Sequence, residues 1–240
     1  MQRCRKRRQK GPFDAFCGPG QKYESEALVS RPSRELETRR TLLRVMSQSA
    51  RRRANLDDFW AIPEGERFHE LIGGDLTPKA APSGEHGDAQ AGIVLAVRGP
   101  YQRRPGGSGG PGGWWIATEV EVLLETGDVV RPDVVGWRRE RCPERPVGIP
   151  VKMRPDWICE VVSPTNATDD TVKKLRLYHR AAIPHYWIVD PREATLTVMR
   201  WSHDGFINIM RAERHEVVRP EPYEAIELAV GTLFGDDPLQ

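Results

Sequence analysis

The sequence predicts an α/β domain that follows a basic extension. Short runs rich in β-branched residues, Val129 to Trp137, Trp157 to Val162 and His185 to Asp190, read as buried strands. Two stretches carry a helical period instead, one opening at Ser83 and one running from about Ala167 to Ala182. Strands with helices between them in chain order define the α/β class.

Composition bounds the alternatives. The chain has 240 residues, which suits one domain plus an extension. Lys and Arg number 36 against 34 Asp and Glu, so the protein as a whole is not a polycation. No run of about 18 apolar residues offers a membrane span, and the N-terminus lacks the apolar stretch of a secretory signal. Cys4, Cys17, Cys142 and Cys159 show no CxxC spacing, so neither a zinc site nor a disulfide framework is expected. A cytoplasmic protein of bacterial type, without a membrane partner, is the simplest expectation.

Residues 1–54 differ from the rest. Met1 to Lys10 and Arg51-Arg52-Arg53 are basic runs, separated by Gly, Pro and Ser with little apolar periodicity. Disorder, or a loosely attached helix over Glu35 to Ser47, is expected. Three readings stay open: a nucleic-acid-binding arm, an inert tail, or a gene-start artefact with translation beginning at Met46.

The domain, residues 55–240, opens with a short helix capped by Asn55 or Asp57 and ending near Trp60. Phe68 to Ile72 reads as a strand, Gly73-Gly74 as a turn and Asp75 to Ala80 as the hairpin partner. Glu70 is then either a solvent-facing residue of an alternating strand or a buried carboxylate. The helix from Ser83 has Ala89, Ile93, Ala96 and Val97 as its apolar stripe; His86, in its first turn, is expected at the surface or as a cap. Residues 105–113 hold six glycines in nine positions, lack a GxxxxGK[ST] continuation and form a loop rather than a phosphate cradle. Trp115 to Leu124 and Val129 to Trp137 each read as one strand. Pro132 confines the second to an edge or a bulge. Cys142 to Pro155 is a loop with four prolines. After the helix, His185 to Asp190, Thr195 to Trp201 and Phe206 to Met210 are strands, and Ala225 to Leu233 is a last strand or turn.

Asp133 and Glu160 carry the chemistry. Each lies inside an apolar strand run, where an unpaired carboxylate costs several kcal/mol. Two such groups on neighbouring strands repel each other, and a divalent cation with oxygen ligands relieves both problems. The following helix supplies a lysine. At about 100° per residue, Lys174 falls in the apolar arc with Leu177, Tyr178 and Ala181, whereas Lys173 falls on the polar face with Arg176 and Arg180. The Lys174 ammonium either snorkels outward or reaches a carboxylate cleft, and a nearby carboxylate pair favours the cleft. Asp133, Glu160 and Lys174, with Glu70 as an optional fourth, are the parts of a metal-dependent phosphodiesterase; structural ion pairs are the competing account.

Arg131-Pro132-Asp133-Val134-Val135 followed by Glu160-Val161-Val162-Ser163-Pro164 resembles the PD-(D/E)XK, or restriction-endonuclease-like, superfamily. With Phe68 to Asp75, the helix opened by His86, Asp170 to Tyr178 and Ile183 to Pro191, the closer resemblance is to the Uma-type endonuclease family, over about Leu56 to Trp201. The resemblance implies an α/β sandwich with a mixed central β-sheet flanked by helices. It implies Asp133, Glu160 and the backbone carbonyl of Val161 as metal ligands and Glu70 as the acidic residue of the first core element. The lysine of the parent motif is replaced by Val162, and Lys174 takes its place from the next helix. Gly73 departs from the family's more common Asp. The implied cofactor is Mg²⁺, with Mn²⁺ as a substitute, and the implied partner is DNA, with a second copy of the chain as a candidate partner.

Two function classes follow: a Mg²⁺-dependent DNA endonuclease, and a catalytically inactive nuclease-fold module that binds DNA or protein. A purely structural domain ranks below both. Because the N-terminal segment lacks a periodic apolar face, deleting residues 1–45 is expected to move the thermal midpoint by no more than roughly a few degrees in a melting experiment.

Overall fold

The structure, a computed structural model, describes residues 52–163 and 167–237; the side chains it describes exclude those of residues 167–170. The expectations for residues 1–51 and for Asp170 therefore lie outside the described residues. From Arg52 onward the chain forms one compact unit.

Helix α1 (Leu56–Trp60) starts at Asn55, whose side chain and that of Asp58 close a reciprocal capping box. Phe59 and Trp60 accept the Arg67 guanidinium over their rings at 5.4 and 4.9 Å. Strands β1 (His69–Ile72) and β2 (Asp75–Pro78) form the expected hairpin through Gly73 and Gly74, both at positive φ. Helix α2 (Gly84–Tyr101) is capped by Ser83.

The next two expected strands are each split. Trp115 to Leu124 becomes β3 (Trp114–Thr118) and β4 (Val122–Leu123), with Glu119 between them at a left-handed φ of 55°. Val129 to Trp137 becomes β5 (Val129–Val130) and β6 (Val134–Arg138), parted by Arg131-Pro132-Asp133. Each pair divides between two sheets. Strands β2-β1-β5-β4 make a four-stranded antiparallel sheet. Strand β6 enters the main sheet beside β3 and β7 (Trp157–Val161). Alternation in the sequence cannot register a change of partner, so both runs looked continuous.

After β7 comes α3 (Ala167–Arg180), two residues shorter than expected, then β8 (His185–Asp190), β9 (Thr195–Ser202) and β10 (Gly205–Glu213). The main sheet has the order β10-β9-β8-β7-β6-β3. Within this sheet β7 and β8 are the parallel pair, as a strand–helix–strand crossover through α3 requires. Strands β11 (Val217–Val218) and β12 (Leu228–Ala229) pair with each other, and a 3₁₀ turn (Val230–Phe234) follows. This is the α/β sandwich with a mixed central sheet.

Both faces of that sheet are covered, and neighbouring residues of one strand serve opposite faces. Val134 and Trp157 join the core under α2 with Ala89, Ile93 and Val97. Val135 and Ile158 join the core under α3 with Leu177, Tyr178 and Ala181. Cys142 and Cys159 are buried free thiols. None of the described helices is long and apolar enough to cross a membrane.

Two positions test this packing. A Cβ on Gly136, in the middle of β6, would lie 3.1 Å from both the Trp157 ring and the Tyr223 hydroxyl and 3.2 Å from the Trp114 ring. Overpacking costs about 1–3 kcal/mol, so Gly136→Ala is expected to lower the urea midpoint by that equivalent. His185, at the start of β8, has its pKa lowered from 6.5 to about 4 by burial, with Arg138 and Arg200 adding to the effect. The unfolded chain takes up a proton near pH 6.5 while the folded chain refuses it until about pH 4. Stability is therefore expected to fall as pH drops through that window, by at most about 3 kcal/mol. Denaturant titrations should find that fall reduced in His185→Gln.

Candidate active site

The sheet change that splits β5 from β6 also builds the site. Leaving β5, the chain turns at Pro132 and delivers Asp133 to the mouth of the main sheet, next to the end of β7, which carries Glu160. Asp133 is 1 % exposed and Glu160 7 %. They line one cleft of about 310 Å³ together with Glu70, Lys79, His86 and Lys174.

Every oxygen of Asp133 is engaged. Oδ1 accepts from Lys79 Nζ at 2.8 Å and from His86 Nε2 at 3.2 Å. Oδ2 accepts from the Val161 amide at 2.7 Å. Burial by itself would raise the Asp133 pKa; the His86 hydrogen bond and the Lys79 charge outweigh it and hold the carboxyl below the usual range. Glu160 accepts from the Tyr178 hydroxyl at 2.6 Å and from Lys174 Nζ at 3.2 Å. Burial raises its pKa to about 7; Lys174 opposes this, while Asp133 and Glu70 add their repulsion.

Glu70, open between two readings in the sequence, is buried and belongs to the site. Its carboxylate accepts the Arg131 amide at 2.9 Å and lies 3.2 Å from Lys174 Nζ. Lys174 thus bridges Glu70 and Glu160 from inside α3. Lys173 points outward, half exposed, and pairs with Asp75 at 3.1 Å on the cleft rim. Asp133, Glu160, Lys174 and Glu70 are therefore brought together. The Val161 contact that forms is made by its amide, with Asp133.

His86 corrects the sequence reading. It is 6 % exposed, not a surface residue, because α2 aims its first turn at Asp133. Its Nδ1 is buried without a hydrogen-bond partner. One turn on, Gln90 donates to the Asp133 carbonyl at 2.8 Å and to Glu119 at 3.3 Å. Sequence reasoning also missed Lys79, Glu119 and Tyr178. Lys79 follows β2 and donates to Glu119 at 2.8 Å and to the Arg131 carbonyl at 2.6 Å besides Asp133. Burial works against its charge, but Asp133, Glu160 and Glu119 outweigh it and raise its pKa. A lysine after a strand and a glutamate in an alternating run carry no local mark. The signal for Tyr178 was present: it shares the Lys174 side of the helical wheel.

The donor set fits a hard divalent cation. Among the described residues no three His, Cys, Asp or Glu side chains form a ready metal-binding group. Mg²⁺ does not need one, since it is commonly held by one or two carboxylates with waters and substrate phosphates completing the shell. Glu70, Glu119, Asp133 and Glu160 bring four carboxylates, against the ammoniums of Lys79 and Lys174. Among the residues lining the cleft, Glu70, Asp75, Asp133 and Glu160 stand against the ammoniums of Lys79, Lys173 and Lys174.

The site is thus a carboxylate–lysine cleft at the mouth of the central strands of a mixed sheet between two helices. Residues 56–231 match the Uma2 family, described as "Putative restriction endonuclease". The chain belongs to that family. In fold it is similar to the crystal structure of a "putative nuclease belonging to DUF820 from Anabaena variabilis ATCC 29413", with 23 % identity and a TM-score of 0.59 over 75 % of this chain and 97 % of that one. At that identity the likeness speaks for the fold alone. No curated protein matches the chain.

Proposed function

We propose that this protein is a divalent-metal-dependent DNA endonuclease. The observation that carries the reading is the meeting of Asp133 and Glu160 with a buried lysine, Lys174, in one cleft of a Uma2-family domain. Asp133 and Glu160, with the Val161 carbonyl, would hold Mg²⁺ or Mn²⁺. The chemistry such an ion supplies is activation of a bound water and neutralisation of phosphate charge.

The chain's own groups do the rest. The Val161 amide and His86 fix the Asp133 carboxylate, and the Tyr178 hydroxyl fixes Glu160, so neither has to reorganise when substrate arrives. Lys174 sits between Glu70 and Glu160, placed to stabilise negative charge developing on the phosphate. Lys173 at the rim is exposed enough to meet a DNA phosphate.

Single-turnover cleavage of plasmid DNA with saturating protein and Mg²⁺ tests the reading, with Asp133→Ala as the control. Lys174→Ala is expected to lose detectable cleavage, a loss of about 10²–10³-fold or more, while largely retaining DNA binding. Lys173→Ala is expected at most to weaken binding, as loss of one phosphate contact would. Cleavage that persists in Asp133→Ala, or that is lost in Lys173→Ala alone, would overturn this assignment. Binding without any cleavage by the unaltered protein would identify the inactive DNA-binding module instead.

A further inference from the structure

Lys79 is not arranged like a phosphate ligand. An ammonium has three N–H donors, and all three of Lys79 have oxygen partners inside the protein: Glu119 Oε2 at 2.8 Å, Asp133 Oδ1 at 2.8 Å and the Arg131 carbonyl at 2.6 Å. Two carboxylates and one backbone carbonyl around a positive charge is also the oxygen set that hard divalent cations take. One of the carboxylates, Asp133, is at the same time a proposed ligand of the catalytic ion. Paired metal ions in phosphoryl-transfer sites stand roughly 3.5–4 Å apart, where one carboxylate can serve both.

We propose that Lys79 is the built-in second cation of this centre. Its ammonium fills an oxygen cage that would otherwise take a second divalent ion beside the catalytic one. The cage is held from several sides. Glu119 keeps a left-handed backbone at the point where the chain changes sheets, and Gln90 donates to its other carboxylate oxygen at 3.3 Å. The Arg131 guanidinium donates to the Glu119 carbonyl at 3.3 Å and to Glu121 at 2.8 Å, while the Arg131 amide is held by Glu70. Lys79 leaves β2 of the smaller sheet and so ties that sheet to the mouth of the larger one. A fixed ammonium cannot be lost to dilution or chelators. The centre then needs one exchangeable ion rather than two.

The inference rests on the proposed nuclease reading only for the first ion. Mn²⁺ titration followed by electron paramagnetic resonance counts bound ions per chain in the full-length protein. The unaltered protein is expected to bind one, Lys79→Met two, and the double variant Lys79→Met/Glu119→Gln one again. A second ion already bound by the unaltered protein would overturn the inference and leave the nuclease reading standing, as would no additional ion in Lys79→Met. No ion in the unaltered protein but one in Lys79→Met would put Lys79 in the first ion's place and overturn the inference together with the metal-dependent reading. If Lys79→Met is unfolded alone, because Glu119 and Asp133 lose the ammonium between them, Mn²⁺ is expected to restore its thermal transition through binding linkage. Failure of Mn²⁺ to restore it would equally overturn the inference.

Discussion

Neutralising buried carboxylates is the constraint on which this structure depends. Asp133, Glu160 and Glu70 lie where apolar strands meet, and removing a carboxylate from water costs far more than a protein's net stability unless charge and hydrogen bonds replace the water. The replacements come from every side. Strand β7 gives the Val161 amide, α2 gives His86, α3 gives Lys174 and Tyr178, and the segment after β2 gives Lys79. Each must arrive together with its element, so the cleft fixes how the two helices and two sheets meet.

The same constraint explains the break in the chain at residues 131–133. A single continuous strand from β5 to β6 would keep Asp133 in a ladder, its side chain committed to one packed face. Pro132 withholds a ladder donor and the chain changes sheets there. Arg131 holds the corner: its amide bonds Glu70, and its guanidinium bonds Glu121 and the Arg67 carbonyl. Arg67 in turn bonds Glu121 and lies against Phe59 and Trp60, so α1 supports the corner through Arg67. Buried ion pairs of this kind add little net stability for their cost, but they select one arrangement over others.

Side chains already oriented in the cleft would suit the phosphodiester chemistry proposed for it. Catalysis gains most when donors and carboxylates already stand where charge will develop. Tyr178 on Glu160 and His86 on Asp133 supply that orientation, while Lys173 pairs with Asp75 at the cleft rim.

The sequence by itself determined most of the strands and helices of the domain, the turn at Gly73-Gly74, the helix starts near Asn55 and Ser83, and the placement of Lys174 rather than Lys173 on the buried side of its helix. These are local matters: a two-residue or 3.6-residue period, a capping side chain, a residue free to adopt positive φ. Asp133 and Glu160 were legible because charge inside an apolar run is itself a local anomaly. Only the tertiary structure decided that Glu70 is buried, that His86 faces Asp133, and that Lys79 and Glu119 belong to the centre. Their partners lie 47 residues away for His86, 54 for Lys79 with Asp133 and 40 for Lys79 with Glu119. Those partners are reached because the chain passes from one sheet to the other at Glu119 and again at Pro132. Periodicity records which face a residue takes within its own element, and it carries no record of which sheet that element will join.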